Sequence, residues 1–104
     1  MLGVKLILGF GVTGISCAKY FSNKNIPYRI FDTRNKNAID SLLISEFDQD
    51  ILFFKNYDID IFNQVDEIII SPGFEKEHAI LKEIYKRNLP LSTDIDIFKK
   101  SSKK

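Results

Sequence analysis

The sequence predicts an α/β fold in which five parallel strands form an open sheet with helices on both faces. Short apolar runs alternate along the chain with segments whose apolar residues recur at helical spacing. Such alternation is typical of parallel strands joined by right-handed helical crossovers. A glycine-rich turn also joins the first apolar run to the first helical segment, as expected where a buried strand leads directly into a helix.

The predicted strands are short and are bounded by turn residues. The first ends at Gly9, the second is preceded by Pro27 and ends at Asp32, and the fourth ends at a Ser-Pro-Gly sequence. In chain order, the predicted strands are Val4–Leu8, Tyr28–Phe31, Ile51–Phe54, Val65–Ile70 and Pro90–Thr93.

The first helix is predicted from a stripe of apolar and small residues with spacings of three and four, and it fades near Asn23–Asn25. Thr33–Asn37 is polar and predicts a loop. Asp58–Gln64 fits both strand alternation and a helical turn, and we favour a short helix or turn. The stripe comprises Gly14, Cys17, Ala18 and Phe21, and further helices are predicted over Ala38–Ser45, His78–Asn88 and Asp94–Lys99.

Length, charge and cysteine content exclude several classes of protein. A chain of 104 residues predicts one small domain, and a net charge of +1 argues against a strongly basic nucleic-acid binder. The single cysteine excludes an internal disulfide framework and a cysteine-based zinc site. No apolar run reaches the roughly 18 residues that span a bilayer, and residues 1–8 lack a signal-peptide pattern, so a cytoplasmic protein is expected.

The sequence from Gly9 to Gly14 fits the pattern G-x-G-x-x-G between a strand and a helix. Gly9 permits a tight turn, Gly11 lets the backbone approach a phosphate, and Gly14 allows close packing of helix against sheet. The free amides near Val12 and Thr13, with the helix dipole, predict a diphosphate site. The Thr13 hydroxyl is a candidate helix cap or donor to the ligand, and the alternative is a tight turn without a ligand.

Asp32 ends the second strand 18 residues after Gly14, where dinucleotide-binding units place the acid that accepts hydrogen bonds from a ribose. Thr33 follows, and Arg34 is a candidate to stack on a base or to reach a phosphate. The alternative is that Asp32 caps its loop and Arg34 is a solvated surface charge.

Ser71 and Gly73 lie at the end of the fourth strand, at the sheet edge where open α/β sheets bind ligands. Gly73 leaves an uncovered amide for a phosphate or sugar. Taken alone, this turn is better explained as a plain strand end, and the agreement of three loops at one edge favours the ligand role. His78 is interpreted as a surface or helix-capping residue and Cys17 as a buried core residue, and no metal site is expected.

Four segments together resemble the N-terminal domain of the D-glutamate-adding Mur ligases. They are Gly9–Cys17, Phe31–Arg34, Ile69–Phe74 and Ser92–Phe98. Because they occur in order and with sensible spacing, the resemblance extends over essentially the whole chain. The resemblance implies a Rossmann-like domain that holds the UDP end of UDP-N-acetylmuramoyl-L-alanine. The backbone at Val12 and Thr13 would then meet the diphosphate, Asp32, Thr33 and Arg34 the uridine, and Ser71 and Gly73 the diphosphate and amino sugar.

The resemblance also implies a cytoplasmic bacterial ligase of peptidoglycan synthesis that uses ATP and Mg²⁺ to join D-glutamate to that substrate through an acyl phosphate. The family's Gly-Lys-Ser/Thr loop for ATP is missing from this sequence. We therefore expect a UDP-binding domain over residues 1–100 and a polar tail over 101–104, without the ATP-binding central and C-terminal domains and inactive alone.

Two other functions are compatible with the glycine turn and Asp32 alone. An NAD-binding regulatory module of the potassium-transport type is the first alternative. A small dehydrogenase is the second, and the length of the chain argues against it because no second domain would hold a hydride acceptor.

Overall fold

The computed structural model describes residues 3–92 and confirms an α/β fold with a five-stranded, all-parallel sheet. The strands are β1 (Val4–Leu8), β2 (Tyr28–Asp32), β3 (Leu52–Phe54), β4 (Val65–Ile70) and β5 (Leu91–Ser92). The α-helices are α1 (Val12–Asn23), α2 (Ser41–Ile44) and α3 (Ala79–Lys86), and 3₁₀ turns cover Lys36–Ala38, Gln49–Ile51 and Ile59–Phe62.

The strand order β3-β2-β1-β4-β5 places β1 at the centre of the sheet. Leu8 of β1 is level with Phe31 of β2 and with Ile70 of β4. The residues that follow these three strands therefore emerge together at one edge. From β1 the chain adds β2 and β3 on one side, and it then returns to add β4 and β5 on the other side of β1. Such a topological switch point leaves a crevice at the carboxyl ends of the strands.

The sheet is buried on both faces because its strands alternate between two apolar clusters. Leu6 and Leu8 of β1 belong to the cluster that includes Ile80 and Ile84 of α3. Ile7 belongs to the opposite cluster, which includes Cys17, Ala18 and Phe21 of α1. The predicted helices on both faces are confirmed, and so is the buried position of Cys17.

The structure corrects the boundaries of the second predicted helix. Asp40 accepts a hydrogen bond from the amide of Leu42, which starts α2 at Ser41 rather than at Ala38. Ile39 is extended and buried in the α1-side core, and it separates the 3₁₀ turn Lys36–Ala38 from α2, so no single helix runs from Ala38 to Ser45. The side chain of Asp48 likewise accepts from the amide of Asp50, and a 3₁₀ turn occupies the residue predicted to begin β3.

The remaining predictions differ at most by short offsets. Within Asp58–Gln64, the favoured short helix forms as the 3₁₀ turn Ile59–Phe62. The helix predicted over His78–Asn88 is α3, which ends two residues earlier, at Lys86. The predicted helix Asp94–Lys99 and the tail 101–104 lie outside the described residues. Within residues 3–92, no helix is long and apolar enough to cross a membrane.

Candidate functional site

A cleft of about 410 Å³ opens at the carboxyl edge of the sheet, above β1, β2 and β4. Nine of the ten predicted site residues line it, and Gly14 is the exception because it is buried below the turn. The predicted residues that line the cleft are Gly9, Gly11, Val12, Thr13, Asp32, Thr33, Arg34, Ser71 and Gly73.

The three glycines of the turn meet different structural demands. Gly9 has a φ of +112°, which side-chain-bearing residues rarely adopt, and a Cβ on it would also press on Ser71. A Cβ on Gly14 would collide with the carbonyl oxygen of Gly9. A Cβ on Gly11, in contrast, would meet nothing within 4 Å. The fold therefore requires Gly9 and Gly14, whereas the open space above Gly11 belongs to the cleft.

The amino terminus of α1 faces the cleft without a side-chain cap. Gly11 is the N-cap residue, and the first turn contains no acidic side chain. The first helical hydrogen bond runs from the amide of Ile15 to the carbonyl oxygen of Gly11, at 2.9 Å. The amides before Ile15 therefore precede the intrahelical ladder, and the helix dipole adds partial positive charge beside them. This is an arrangement suited to an anion.

Asp32 is 5% exposed, and its carboxylate accepts four hydrogen bonds. Its Oδ2 accepts from the amide of Phe10 at 2.6 Å and from Nη2 of Arg34 at 3.0 Å. Its Oδ1 accepts from the amide and from Nε of Arg34, at 2.8 Å and 2.9 Å. Asp32 therefore links the end of β2 to the glycine turn.

Burial acts to raise the pKa of Asp32, but the hydrogen bonds from Arg34 and from the Phe10 amide, together with the Arg34 charge, outweigh it. The pKa of this carboxyl group consequently lies below the usual aspartate value. Arg34 is half-exposed, and its Nη2 also donates to the carbonyl oxygen of Phe10 at 3.2 Å. Arg34 is thus an anchored side chain, unlike the solvated charge that the sequence left as an alternative.

Ser71 brings an unused hydroxyl group to the cleft. Its Oγ is buried, and no residue of the described chain gives it a hydrogen bond. The turn itself is closed by the amide of Phe74, which donates to the carbonyl oxygen of Ser71 at 3.0 Å. A Cβ on Gly73 would meet nothing within 4 Å, so this part of the turn is open above its backbone. Buried hydroxyl groups normally have a partner, so this unpartnered Oγ makes Ser71 a candidate ligand contact.

Sequence reasoning missed the apolar floor of the cleft and its acidic rim. Phe10 and Phe74 are buried beneath it, and Glu75 lies at its margin. The sequence contained a signal for the role of Phe10, because a large apolar side chain between two glycines is expected to be buried against its surroundings. The helix-capping interpretation of His78 is confirmed: its Nδ1 accepts a hydrogen bond from the amide of Ile80 at 3.1 Å.

The side chains within residues 3–92 offer no cluster of three potential metal-ligating groups. The donors around the cleft are instead backbone amides, hydroxyl groups and one guanidinium. They suit a ligand that carries phosphate and hydroxyl groups.

Comparison with known proteins identifies the family of this chain. The family model described as "Mur ligase MurD-like, N-terminal domain" matches residues 4–92. A UDP-N-acetylmuramoylalanine–D-glutamate ligase of Rickettsia bellii is 35% identical over 101 residues, which cover 93% of this chain and 20% of that protein. Enzymes of the same name from Pseudomonas savastanoi pv. phaseolicola and Coxiella burnetii are 25% and 26% identical, each over 95% of this chain and 22% of the relative.

The chain therefore spans only about a fifth of the length of the curated relatives it matches. The matched residues include the whole sheet and every loop that lines the cleft. This chain belongs to the Mur ligase family, in which it corresponds to the MurD-like N-terminal domain.

Proposed function

We propose that this chain binds the UDP end of UDP-N-acetylmuramoyl-L-alanine for a cytoplasmic ligase that adds D-glutamate in peptidoglycan synthesis. The observation that carries the proposal is the convergence of three strand-end loops on one cleft beside an uncapped helix. The family membership and the printed names of the relatives support this choice of ligand.

In this proposal, the three loops lie along successive parts of the ligand, and two of them share the diphosphate. The first-turn amides at Val12 and Thr13 hold the diphosphate. The loop that follows β2, with Thr33 and Arg34, lies along the uridine. Ser71 and Gly73 face the diphosphate and the amino sugar, and the unpartnered Oγ of Ser71 supports this placement.

The residues present do not fit a bound ATP–Mg²⁺ group. The described part of the chain lacks a three-residue set of metal-ligating side chains, and the full sequence contains no Gly-Lys pair. We accordingly assign no catalytic residue to this chain, and we propose that it contributes substrate binding alone. ATP, Mg²⁺ and D-glutamate would be bound by other domains of the ligase.

The proposal is tested by isothermal titration calorimetry of the folded chain with UDP and with UDP-N-acetylmuramoyl-L-alanine. Saturable binding of both ligands is expected, with the sugar nucleotide binding at least as tightly as UDP. Absence of saturable heat at millimolar UDP, from a sample that unfolds cooperatively, would contradict the proposal.

NADH fluorescence provides a second arm that addresses the NAD-binding alternative. The carboxylate of Asp32 is already occupied by Arg34 and Phe10, which disfavours its use for the ribose of NAD. We expect no enhancement of NADH fluorescence. An enhancement that UDP cannot reverse would favour the regulatory module instead.

A further inference from the structure

Both backbone polar groups of Phe10 are held by the loop that follows β2. Its amide donates to Oδ2 of Asp32 at 2.6 Å, and its carbonyl oxygen accepts from Nη2 of Arg34 at 3.2 Å. These bonds join residues that are 22 and 24 positions apart in the sequence. Phe10 lies between Gly9 and Gly11, so the turn has few conformational restraints of its own.

The hydrogen bonds of Asp32 leave no acceptor site on its carboxylate for a ligand. A carboxylate has about four lone-pair sites, and each oxygen of Asp32 already accepts two hydrogen bonds. A ribose hydroxyl group would have to displace Arg34 or the amide of Phe10. Either displacement would leave a buried or charged donor without its partner, which is costly.

We propose that Asp32 is a positioning residue. Together with Arg34, it clamps the backbone of Phe10 and so holds the glycine turn in the conformation that binds a diphosphate group. This inference rests on the proposed function, because it concerns the same cleft. A turn that is ordered before binding loses less conformational entropy when the ligand arrives. The clamp therefore acts on the phosphate part of the ligand even though Asp32 lies at the end of β2.

The direction in which diphosphate affinity changes when Asp32 is neutralised distinguishes the clamp from a simple charge effect. By Coulomb's law alone, removing an acidic side chain beside an anion site strengthens anion binding. Loss of the clamp weakens it. Asp32→Asn retains the size of the side chain but lowers its capacity to accept four N–H groups. We expect about a tenfold loss of affinity for inorganic diphosphate, comparable to the loss of one hydrogen bond to a charged group.

The experiment compares inorganic diphosphate, UDP and 2′-deoxy-UDP by following the amide signals of Val12 and Thr13 in NMR titrations. The clamp predicts a similar fold-loss for all three ligands in Asp32→Asn. A ribose-accepting Asp32 predicts a loss for UDP only, with inorganic diphosphate unchanged or tighter, and that result would overturn the inference.

Two further variants separate the effect of charge from the effect of the clamp. Glu75→Gln makes the same charge change at the margin of the cleft and leaves the hydrogen bonds of Phe10 to Asp32 and Arg34 intact. It is expected to leave diphosphate binding unchanged or tighter. Arg34→Lys keeps the positive charge but loses the planar fork that bridges Asp32 and Phe10, and it should weaken diphosphate binding as Asp32→Asn does. Equal behaviour of Arg34→Lys and wild type would count against the clamp.

Amide hydrogen exchange in the ligand-free protein tests the clamp without any ligand. We expect faster exchange at Gly9 and Ile15, whose amides donate to the carbonyl oxygens of Phe31 and Gly11, in Asp32→Asn than in Glu75→Gln, because only the first variant releases the turn. Unchanged exchange at these amides would overturn the clamp. If wild type bound neither UDP nor diphosphate, the proposed function would fail, and the exchange data would still report on the clamp.

Discussion

Gly11 and Gly14 belong to one motif, but only Gly14 is required by the packing of the turn. Addition of a Cβ at Gly14 would strike the backbone of Gly9, whereas the space above Gly11 is empty. The motif in the sequence does not distinguish a glycine that the packing requires, such as Gly14, from one that leaves space in the cleft, such as Gly11. The separation matters at the residue scale because it shows which substitution alters the site without altering the fold.

Substitution of Gly11 by valine is expected to abolish UDP binding. The φ of Gly11 is −106°, which a valine adopts readily, but its side chain would project into the space proposed for the diphosphate. Calorimetry with UDP measures the loss, and thermal unfolding checks that the fold remains. Ser16→Val is the matched control, because Ser16 is exposed on α1 and does not line the cleft. UDP binding that survives in Gly11→Val would place the phosphate site elsewhere.

Substitution of Ser71 by alanine is expected to weaken UDP binding by about three- to tenfold without loss of stability. The hydroxyl group has no partner in the described chain, so its removal breaks no internal hydrogen bond. A ligand that accepts or donates at this position would lose about 0.5–1.5 kcal/mol. Titration and urea unfolding of Ser71→Ala, beside Ser16→Ala, measure the two quantities. Lower stability with unchanged affinity would show that Ser71 has only a structural role.

At the scale of the elements, α1 and α3 end in the same way. Each is followed by an asparagine with a positive φ, Asn25 at 59° and Asn88 at 57°. The residue after each asparagine donates its amide to a carbonyl oxygen of the last helical turn, Ile26 to Phe21 and Leu89 to Ile84. This is the Schellman arrangement, in which glycine is the usual residue and asparagine the common substitute.

Asn88→Ala is expected to lower the free energy of unfolding by about 1 kcal/mol, because alanine adopts a positive φ unfavourably. Asn88→Gly is expected to be at least as stable as wild type, since glycine adopts this conformation without a steric penalty. Urea unfolding of both variants measures the difference. Equal stability of the alanine and glycine variants would contradict the left-handed conformation at this position.

The boundaries of the elements were predictable where a buried apolar run met a glycine or proline. Val4–Leu8 and Val65–Ile70 are strands as predicted, and α1 runs to Asn23. The boundary near Ala38 was not predictable from periodicity, because Ile39 fits a helical stripe equally well. Asp40 decides the start of α2 by capping it, and the extended, buried Ile39 separates α2 from the preceding 3₁₀ turn.

At the scale of the whole molecule, the sheet brings distant loops to one edge, and the carboxylate of Asp32 ties two of them together. Because the pKa of Asp32 is lowered in the folded chain, its ionised form favours folding. This contribution is complete above the ordinary aspartate pKa of 3.8. It is lost as the pH falls through the lower pKa of the folded state.

We therefore expect the stability difference between wild type and Asp32→Asn to be largest above pH 4 and to shrink as the solution is acidified further. Urea unfolding at a series of pH values between neutral and pH 2 provides the measurement. Glu46→Gln, which removes an exposed carboxylate, serves as the control. A difference between wild type and Asp32→Asn that does not change with pH would contradict the lowered pKa.

The sequence by itself determined the parallel α/β fold, the glycine turn between β1 and α1, and the residues at the ends of β1, β2 and β4. These features depend on local spacing, such as alternation of apolar segments and the placing of glycine and proline. The strand order, the occupied carboxylate of Asp32 and the unpartnered hydroxyl group of Ser71 were decided only by the tertiary structure. The physical reason is distance along the chain: the amide that occupies Asp32 lies 22 residues away from it, and hydrogen bonds at that separation form only after the strands have paired.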